Sequence, residues 1–520
     1  MAVQTGHSVD LAGAMVLAAT SPADWLVIAP VAIPIIFGAV LLIFRHETRP
    51  QAGVALIGLV AGLVCNVLLL MRILDQGPVV MTMGRWLPPF GISFTADVLG
   101  ASLSLVATLV VAVCALYSTS DIGTIGRRYG FYPFLMLMTA GVNGSFLTGD
   151  IFNLYVWFEV FLISSFGLLV LGSEHRQLDG ATKYAILNLI GTTFFLTATA
   201  LLYGAFGTLN MADIARKADS VREAAPLTTL AVFFLLAFAM KAAAFPVNFW
   251  LPASYHTPRI VTAALFGGVL TKVGVYALLR TLVMLFPPER ELLSGVIAWV
   301  AAATMIVGVM GALSQTDLRR SLGFVVISSV GIMLAGLALG STEGLAGTVF
   351  YAFHSMIVMA ALYLLAGVMN GLGGSYSLRA LSGLYQSHPM IAAFALLLML
   401  SAAGLPPASG LWPKVMLVRA SIDAGQPWLA FAVLATGFLT TLALGRAFIL
   451  AVWRPQAADG APAATTSPAL GYLTIGVFSL LVLFMGLYPQ PVIDVAERAA
   501  AGILDASHYI GTVFPEGAQR

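Results

Sequence analysis

Long apolar runs separated by short polar stretches dominate this chain. A helix needs about 20 mainly apolar residues to cross the hydrocarbon core of a bilayer. The longest run, at about residues 388–424, is the twelfth in chain order and is interrupted by Pro406, Pro407 and Pro413. Fourteen runs are long enough, at about residues 25–44, 52–72, 95–117, 131–148, 152–172, 181–206, 226–250, 259–283, 294–313, 321–340, 346–370, 388–424, 427–452 and 470–487. The pattern predicts an all-α polytopic membrane protein with about fourteen transmembrane helices.

Two shorter segments predict helices that do not span. Residues 11–19 are apolar but too short to cross, which favours a helix at the membrane surface. Residues 492–504 alternate apolar and charged positions, as in an amphipathic terminal helix. The longest connections, about 73–94, 207–225 and 453–469, are too short for a catalytic domain outside the membrane.

Composition excludes the other broad classes. Of the 520 residues, 59% are hydrophobic and 9% are charged, whereas soluble globular proteins carry about 25% charged residues. This balance excludes a soluble enzyme, a disordered chain and a nucleic-acid-binding protein. The net charge of +2 implies no strongly charged partner. Cys65 and Cys114 lie in apolar runs, where we expect them to be free and packed.

Loop charges predict the orientation. Lysine and arginine are slightly more frequent in the loops that follow odd-numbered helices, and such loops tend to stay in the cytoplasm. An even number of spans puts both termini on one side. We therefore expect both termini outside.

A few ionisable side chains fall inside the predicted spans. These are Glu159, Lys241, Lys272 and Lys414, with His354 as the mid-span histidine, whereas the other basic residues, Arg280 included, fall in loops, tails or helix ends. Each buried charge costs roughly 2.5–3.5 kcal/mol on insertion scales and usually marks an ion or proton path. The alternatives are a static ion pair for the glutamate, lysines that reach toward the interface, and a histidine bonded to a neighbouring helix.

Two of the lysines lie beside proline-rich interruptions. Lys241 precedes Pro246, and Lys414 follows the interruption at 404–413. Proline breaks a helix because it lacks a backbone donor and clashes with the preceding turn. Broken helices at mid-membrane are a feature of transporters, and a corresponding pair of them indicates internally repeated halves with a site at each break.

No motif indicates other chemistry. The chain has no GxxxxGK[ST] loop, CxxC, HExxH or GxSxG, so we expect no cofactor and no metal site. Asp150, Tyr255 and His256 lie at helix ends, where capping and turn roles compete with a role in gating.

Four longer strings carry a family resemblance. They are FLTGDIFNLYVWFEVFLISS (146–165), KAAAFPVNFWLPASYHTP (241–258), ALFGGVLTKVGVYALLR (264–280) and GLPPASGLWPK (404–414). In them, and over roughly residues 25–490, the chain resembles the D-subunit family of Mrp-type multisubunit sodium/proton antiporters. The wider family includes antiporter-like subunits of respiratory complex I and of membrane-bound hydrogenases.

The resemblance implies fold and function together. The expected fold has fourteen helices and two inverted five-helix repeats with broken helices seven and twelve, divided into 1–130, 131–283, 294–452 and 453–520. Glu159 on helix five is expected to pair with Lys241 on helix seven, followed by Lys272 on helix eight and Lys414 on helix twelve. The expected activity is proton transport coupled to sodium rather than enzyme catalysis. The expected setting is a hetero-oligomer of other Mrp-type subunits in a bacterial inner membrane.

One departure from the family weakens the expected line. Many relatives carry a further lysine on helix eleven, but Val358 and Met359 occupy that stretch here. The link from Lys272 to Lys414 must then run through His354, Ser355 and water. Three other functions stay open: a proton-pumping subunit of a redox complex, a structural membrane scaffold, and a stand-alone transporter of an organic solute.

Overall fold

The computed structural model describes residue 15 and residues 20–84, 86–455 and 469–515. Helices follow the apolar runs closely. The first part of the chain contains α1 Trp25–Ile43, α2 Gln51–Gln76, β1 Val79–Thr82, β2 Ser93–Ala96, α3 Val98–Asp121, α4 Thr124–Arg128, α5 Phe131–Leu147, α6 Ile151–Leu169, α7 His175–Phe206 and α8 Met211–Val221. The middle contains α9 Leu227–Ala242, α10 Trp250–Ser254, α11 Ile260–Leu265, α12 Thr271–Leu278, α13 Pro287–Ser314, α14 Leu318–Leu339 and α15 Thr342–Gly373. The last part contains α16 Leu384–Ser387, α17 Pro389–Ala403, α18 Leu411–Asp423, α19 Pro427–Phe448, α20 Ala469–Leu487, α21 Gln490–Leu504 and α22 Ser507–Val513.

Three π-helical segments extend or join these helices. Phe266–Leu270 joins α11 to α12, and Leu279–Leu285 continues α12, so one unbroken helix runs from 260 to 285. We call it the Lys272 helix. The third segment, Ile449–Trp453, continues α19. Wider turns of this kind are rare and often lie at functional sites.

Most of the predicted spans correspond to long apolar helices. Eleven helices among the described residues are long and apolar enough to cross a membrane. The fourth, seventh and twelfth predicted spans correspond to the shorter helices α5, α9 and α17, of 17, 16 and 15 residues. The fold class is confirmed, while the count of fourteen spans, the inverted repeats and the four-part division of the chain stay predictions.

The hydrophobic pattern also explains which helices lie at the centre. The Lys272 helix and α15 are buried along their apolar windows, and α14 and α3 are mostly buried, whereas α1, α2 and α7 expose much of their apolar surface. The outer helices therefore present their apolar faces to lipid or to partner subunits. Both cysteines are free, Cys114 buried and Cys65 half-buried.

The chain terminus folds onto the end of this central group. Helix α21 matches the predicted amphipathic segment and buries Ala496, Ala499, Ala500 and Ile503, packing on α15, α3 and the end of the Lys272 helix. A small antiparallel hairpin, with Val79 opposite Ala96, was not predicted. Residues 11–19 apart from Met15, and most of 453–469, lie outside the described residues.

Candidate functional site

The break in the seventh predicted span lies directly after Lys241. Helix α9 ends at Ala242, and Ala243 adopts a left-handed conformation with φ of 60°. The chain then runs without regular helix to Trp250. Lys241 lies in the last turn of α9 and is 5% exposed. The ammonium is thus buried inside the protein beside the break.

Glu159 and Lys241 are joined through a third side chain. Lys241 Nζ donates to Thr192 Oγ1 at 2.7 Å and to the Asn188 carbonyl at 3.0 Å. Thr192 Oγ1 in turn donates to Glu159 Oε1 at 2.9 Å. Among the described ion pairs, none joins Glu159 to Lys241 directly. The structure therefore replaces the expected direct pair with a carboxylate, a hydroxyl and an ammonium in series.

Lys272 is bound to its own helix. Its Nζ donates to the Gly267 carbonyl at 2.6 Å, within the π-helical segment that precedes it. The residue is 1% exposed. At Gly274 an added Cβ would lie 2.8 Å from the backbone nitrogen of Ala242. The Lys272 helix therefore touches α9 one residue beyond Lys241, which brings the two lysine-bearing helices into backbone contact.

The second break brings His354 and Lys414 into one polar group. His354 Nδ1 lies 2.8 Å from Ser409 Oγ, and Ser409 Oγ lies 3.3 Å from Ser401 Oγ. Lys414 Nζ donates to the carbonyls of Ala403 at 2.5 Å and Ala402 at 3.4 Å. These carbonyls end α17 and have no partner within that helix. The free C-terminal end of the half-helix thus stabilises the ammonium.

The two breaks share a local backbone pattern. Helix α9 ends at 242 and α17 at 403, left-handed residues follow at Ala243 and Gly404, and the next helices begin at 250 and 411. When the two breaks are aligned by these helix ends, Lys241 corresponds to Ala402, and Lys414 corresponds to Ala253. The two lysines therefore lie on opposite sides of similar breaks, in the order that the prolines of the sequence indicate.

The buried line has a gap at its centre. Among the described contacts, no hydrogen bond joins Lys272 to His354, and His354 Nε2 is buried without a partner. Ser355 instead donates to Ser329 at 3.2 Å. Met359, in the stretch where the resemblance led us to expect a lysine, is buried. Among the five predicted residues, the described hydrogen bonds thus link only Glu159 to Lys241, through Thr192, and leave Lys272, His354 and Lys414 unlinked to one another.

Helix α3 holds both ends of the Lys272 helix. Asp121, its last residue, accepts from the backbone N–H of Val261 at 3.2 Å. Asp97, its N-cap, forms an ion pair with Arg280. Arg280 is 1% exposed, and its predicted position at a helix end gave no sign of this burial. A position near the end of an apolar run gives no information about what covers it.

The polar residues at helix ends have local roles. Asp150 Oδ1 accepts from the Asn153 N–H at 2.7 Å and so caps α6. Burial raises the pKa of Asp150 to about 6. His256 Nδ1 lies 2.9 Å from the Pro252 carbonyl, and its Nε2 lies 3.1 Å from Arg320. Burial, and then the arginine, lower the pKa of His256.

Sequence reasoning missed the hydroxyl groups of the site. Thr192, Ser401 and Ser409 are buried, yet hydroxyl residues in apolar helices usually bond to their own backbone. A weak signal exists in α7, where Asn188 and Thr192 are four residues apart and share a face.

Fold and site together define an antiporter-like membrane subunit. Long apolar helices surround two helices broken in mid-run, and ionisable side chains lie at the breaks. The family model described as "NADH:quinone oxidoreductase/Mrp antiporter, TM" matches residues 148–440, and the chain belongs to this family.

Relatives with assigned names agree with this membership. The D subunit of the Na(+)/H(+) antiporter of Alkalihalophilus pseudofirmus is 38% identical over 94% of this chain and 99% of its own length. The corresponding Bacillus subtilis protein, also named as the D subunit of a Na(+)/H(+) antiporter, is 33% identical over 94% of this chain and 99% of its own length. The predicted resemblance to the D-subunit family is confirmed.

Solved structures agree on the fold. A chain in the structure of the Mrp complex from Dietzia sp. DQ12-45-1b superposes with a TM-score of 0.87 at 29% identity, over 95% of this chain and 100% of that chain. A chain of respiratory complex I from Thermus thermophilus with bound NADH gives a TM-score of 0.79 at 26% identity, over 92% and 100%. The chain is therefore a multi-pass membrane protein of the transporter-subunit type rather than an enzyme in its own right.

Proposed function

We propose that this chain is the proton-translocating subunit of a multisubunit sodium/proton antiporter. Protons move along Glu159, Lys241, Lys272, His354 and Lys414. The observation that carries the proposal is the hydrogen-bonded series of carboxylate, hydroxyl and ammonium formed by Glu159, Thr192 and Lys241. Buried charges of this kind are costly in a membrane protein and are retained where they move ions.

The series supplies a way to couple charge to proton release. Glu159 is half-buried, and its negative charge stabilises the Lys241 ammonium through the Thr192 hydroxyl. A proton that reaches Glu159 removes this charge, so the ammonium loses its counter-charge and passes a proton on. The backbone contact between Gly274 and Ala242 brings the Lys272 helix alongside as the next acceptor.

The second group receives the proton from the centre. His354 presents an Nε2 that has no partner among the described residues, and its other ring nitrogen bonds to Ser409. A neutral imidazole accepts a proton at one nitrogen and releases one from the other, so it passes protons without rotating. Water must cross the gap between Lys272 and His354. Lys414 is the last member of the line and lines a cavity of about 590 Å³ between α18 and α19.

Partners and orientation follow from the same proposal. The named relatives are antiporter subunits, so this chain works with other Mrp-type subunits in a bacterial inner membrane. Both termini lie outside. Sodium is the expected counter-ion of the whole complex.

A redox complex is the second candidate. The family model names NADH:quinone oxidoreductase beside the Mrp antiporters, and the complex I chain shares the fold. In that setting electron transfer, rather than sodium, drives the protons. Sodium-dependent proton flux in vesicles that lack an electron donor would favour the antiporter, whereas proton flux that requires the donor would favour the redox complex.

The deciding experiment measures sodium-dependent proton flux in everted vesicles. The full operon is expressed in a strain without its own antiporters, and wild type is compared with Glu159→Ala, Lys241→Ala and Lys272→Ala. Immunoblots of the other subunits report assembly. We expect loss of flux with assembly intact. Normal flux in all three variants would refute the proton path and favour a scaffold, and activity of the chain purified alone would favour a solute transporter.

A further inference from the structure

A buried arginine, Arg280, lies beyond Lys272 toward the C-terminal end of the same helix. Lys272, Tyr276 and Arg280 are spaced four residues apart and so share one face of their helix. At about 1.5 Å per residue, Arg280 lies roughly 12 Å beyond Lys272 along the helix axis. The proposed proton line does not use this guanidinium.

The arginine is held from several directions. Its Nη2 pairs with Asp97, and its Nε donates to Tyr276 Oη at 3.0 Å. Tyr276 Oη donates to the Phe146 carbonyl at 2.8 Å. The guanidinium carbon lies 5.4 Å from the centre of the Tyr509 ring, which belongs to α22. Four separate parts of the chain therefore fix one charge.

A cavity opens on the far side of this pair. It has a volume of about 390 Å³, and its walls include Asp97, Tyr509, Arg498, Asp505 and His508. Asp97 thus contacts the guanidinium on one side and the cavity on the other, although it is only 6% exposed. The Tyr509 hydroxyl is buried without a partner among the described residues.

We propose that Arg280 and Asp97 form the barrier of a proton passage between Lys272 and the cavity under α21 and α22; the passage rests on the proposed function. A guanidinium does not lose its proton in a protein, so it cannot relay one. A fixed positive charge in a narrow passage also repels protons, as in channels that exclude them. Asp97 balances the charge and keeps the arginine in place. Arg280 is therefore the group that blocks the passage, and Asp97 is the residue that positions it.

The test measures passive proton leakage of the whole complex. The variant Asp97→Asn/Arg280→Met removes both charges, and asparagine retains the helix cap. We expect an imposed pH gradient to collapse about tenfold faster without sodium, equivalent to a barrier lower by about 1.4 kcal/mol. The matched control is Asp24→Asn/Arg72→Met, which removes a more exposed ion pair from α1 and α2 and should leave the leak unchanged.

A third variant tests the route. Adding Lys272→Ala to the double variant should return the leak to the wild-type rate. An unchanged leak in an assembled double variant would overturn the proposal, as would a leak that persists without Lys272. If the double variant does not assemble, Arg280→Lys replaces it, because a buried lysine can release its proton and relay it whereas an arginine cannot; a leak no faster than that of wild type would then overturn the proposal. The leak is measured without sodium and requires no antiport. Failure of the barrier proposal therefore appears as an unchanged leak, whereas failure of the proposed function appears as normal sodium-dependent flux in Lys272→Ala.

Discussion

The hydroxyl of Thr192 should be required for rapid transport. Thr192→Val keeps the shape of the side chain but removes the group that donates to Glu159 and accepts from Lys241. Lys241 then retains only the Asn188 carbonyl among its described partners. The structure thus assigns Thr192 a specific role, to hold the carboxylate and the ammonium at a fixed separation.

The expected loss follows from the two hydrogen bonds. Hydrogen bonds to charged groups contribute about 1.5–3 kcal/mol each. If one such contribution is lost from the transfer step, the rate falls about 10- to 100-fold, since about 1.4 kcal/mol is a factor of ten. Thr192→Ser retains the hydroxyl and should keep most of the activity.

The assay is sodium-dependent proton flux in everted vesicles with matched amounts of assembled complex. Thr193→Val is the neighbouring control, because Thr193 is exposed and bonds to the Leu189 carbonyl of its own helix. Its flux should equal that of wild type. A wild-type rate in Thr192→Val would show that Glu159 and Lys241 act without the bridge, and the reasoning would be wrong.

Four further variants test the second break and the N-cap of α6. Gly410→Ala forces a Cβ against the Ser401 carbonyl oxygen and should lower the melting temperature of the complex by overpacking worth about 1–3 kcal/mol; an unchanged melting temperature would contradict this. Ser409→Ala breaks the link to His354 and should slow flux by about three- to tenfold, the value of one neutral hydrogen bond, while Ser409→Thr should not. Burial raises the pKa of Asp150 to about 6, above its ordinary value, so its contribution to folding stability falls as the pH rises from about 4 to about 6. Asp150→Asn keeps the cap and should flatten the pH dependence of melting over that range; parallel pH profiles for both proteins would contradict the assignment.

The apolar runs were sufficient to locate the helices and most buried charges. Bilayer-spanning helices need long apolar segments, so Glu159, Lys241, Lys272 and Lys414 stood out against their surroundings. Sequence could not identify Thr192 as the link, since a hydroxyl is compatible with many positions in an apolar helix. Which helices touch is decided by packing between distant parts of the chain.

The sequence also placed the two lysines relative to the breaks. Proline content predicted where α9 and α17 end, because proline cannot continue a helix, and Lys241 precedes its break while Lys414 follows its own. The sequence did not show which groups bind the lysines, such as the Ala402 and Ala403 carbonyls that accept from Lys414. It also missed the burial of Arg280, which depends on α22 folding back over the helix end.

Helix α3 forms a wall of two separate cavities, one near each of its ends. Val98 and Leu99 line the one of about 390 Å³, and Tyr117 and Ser120 line another of about 170 Å³. With 3.6 residues per turn, these four side chains fall on the same face of the helix. A rigid tilt of α3 about its midpoint therefore widens one cavity only while it narrows the other. A substitution that tilts α3 is therefore expected to change the volumes of the two cavities in opposite directions.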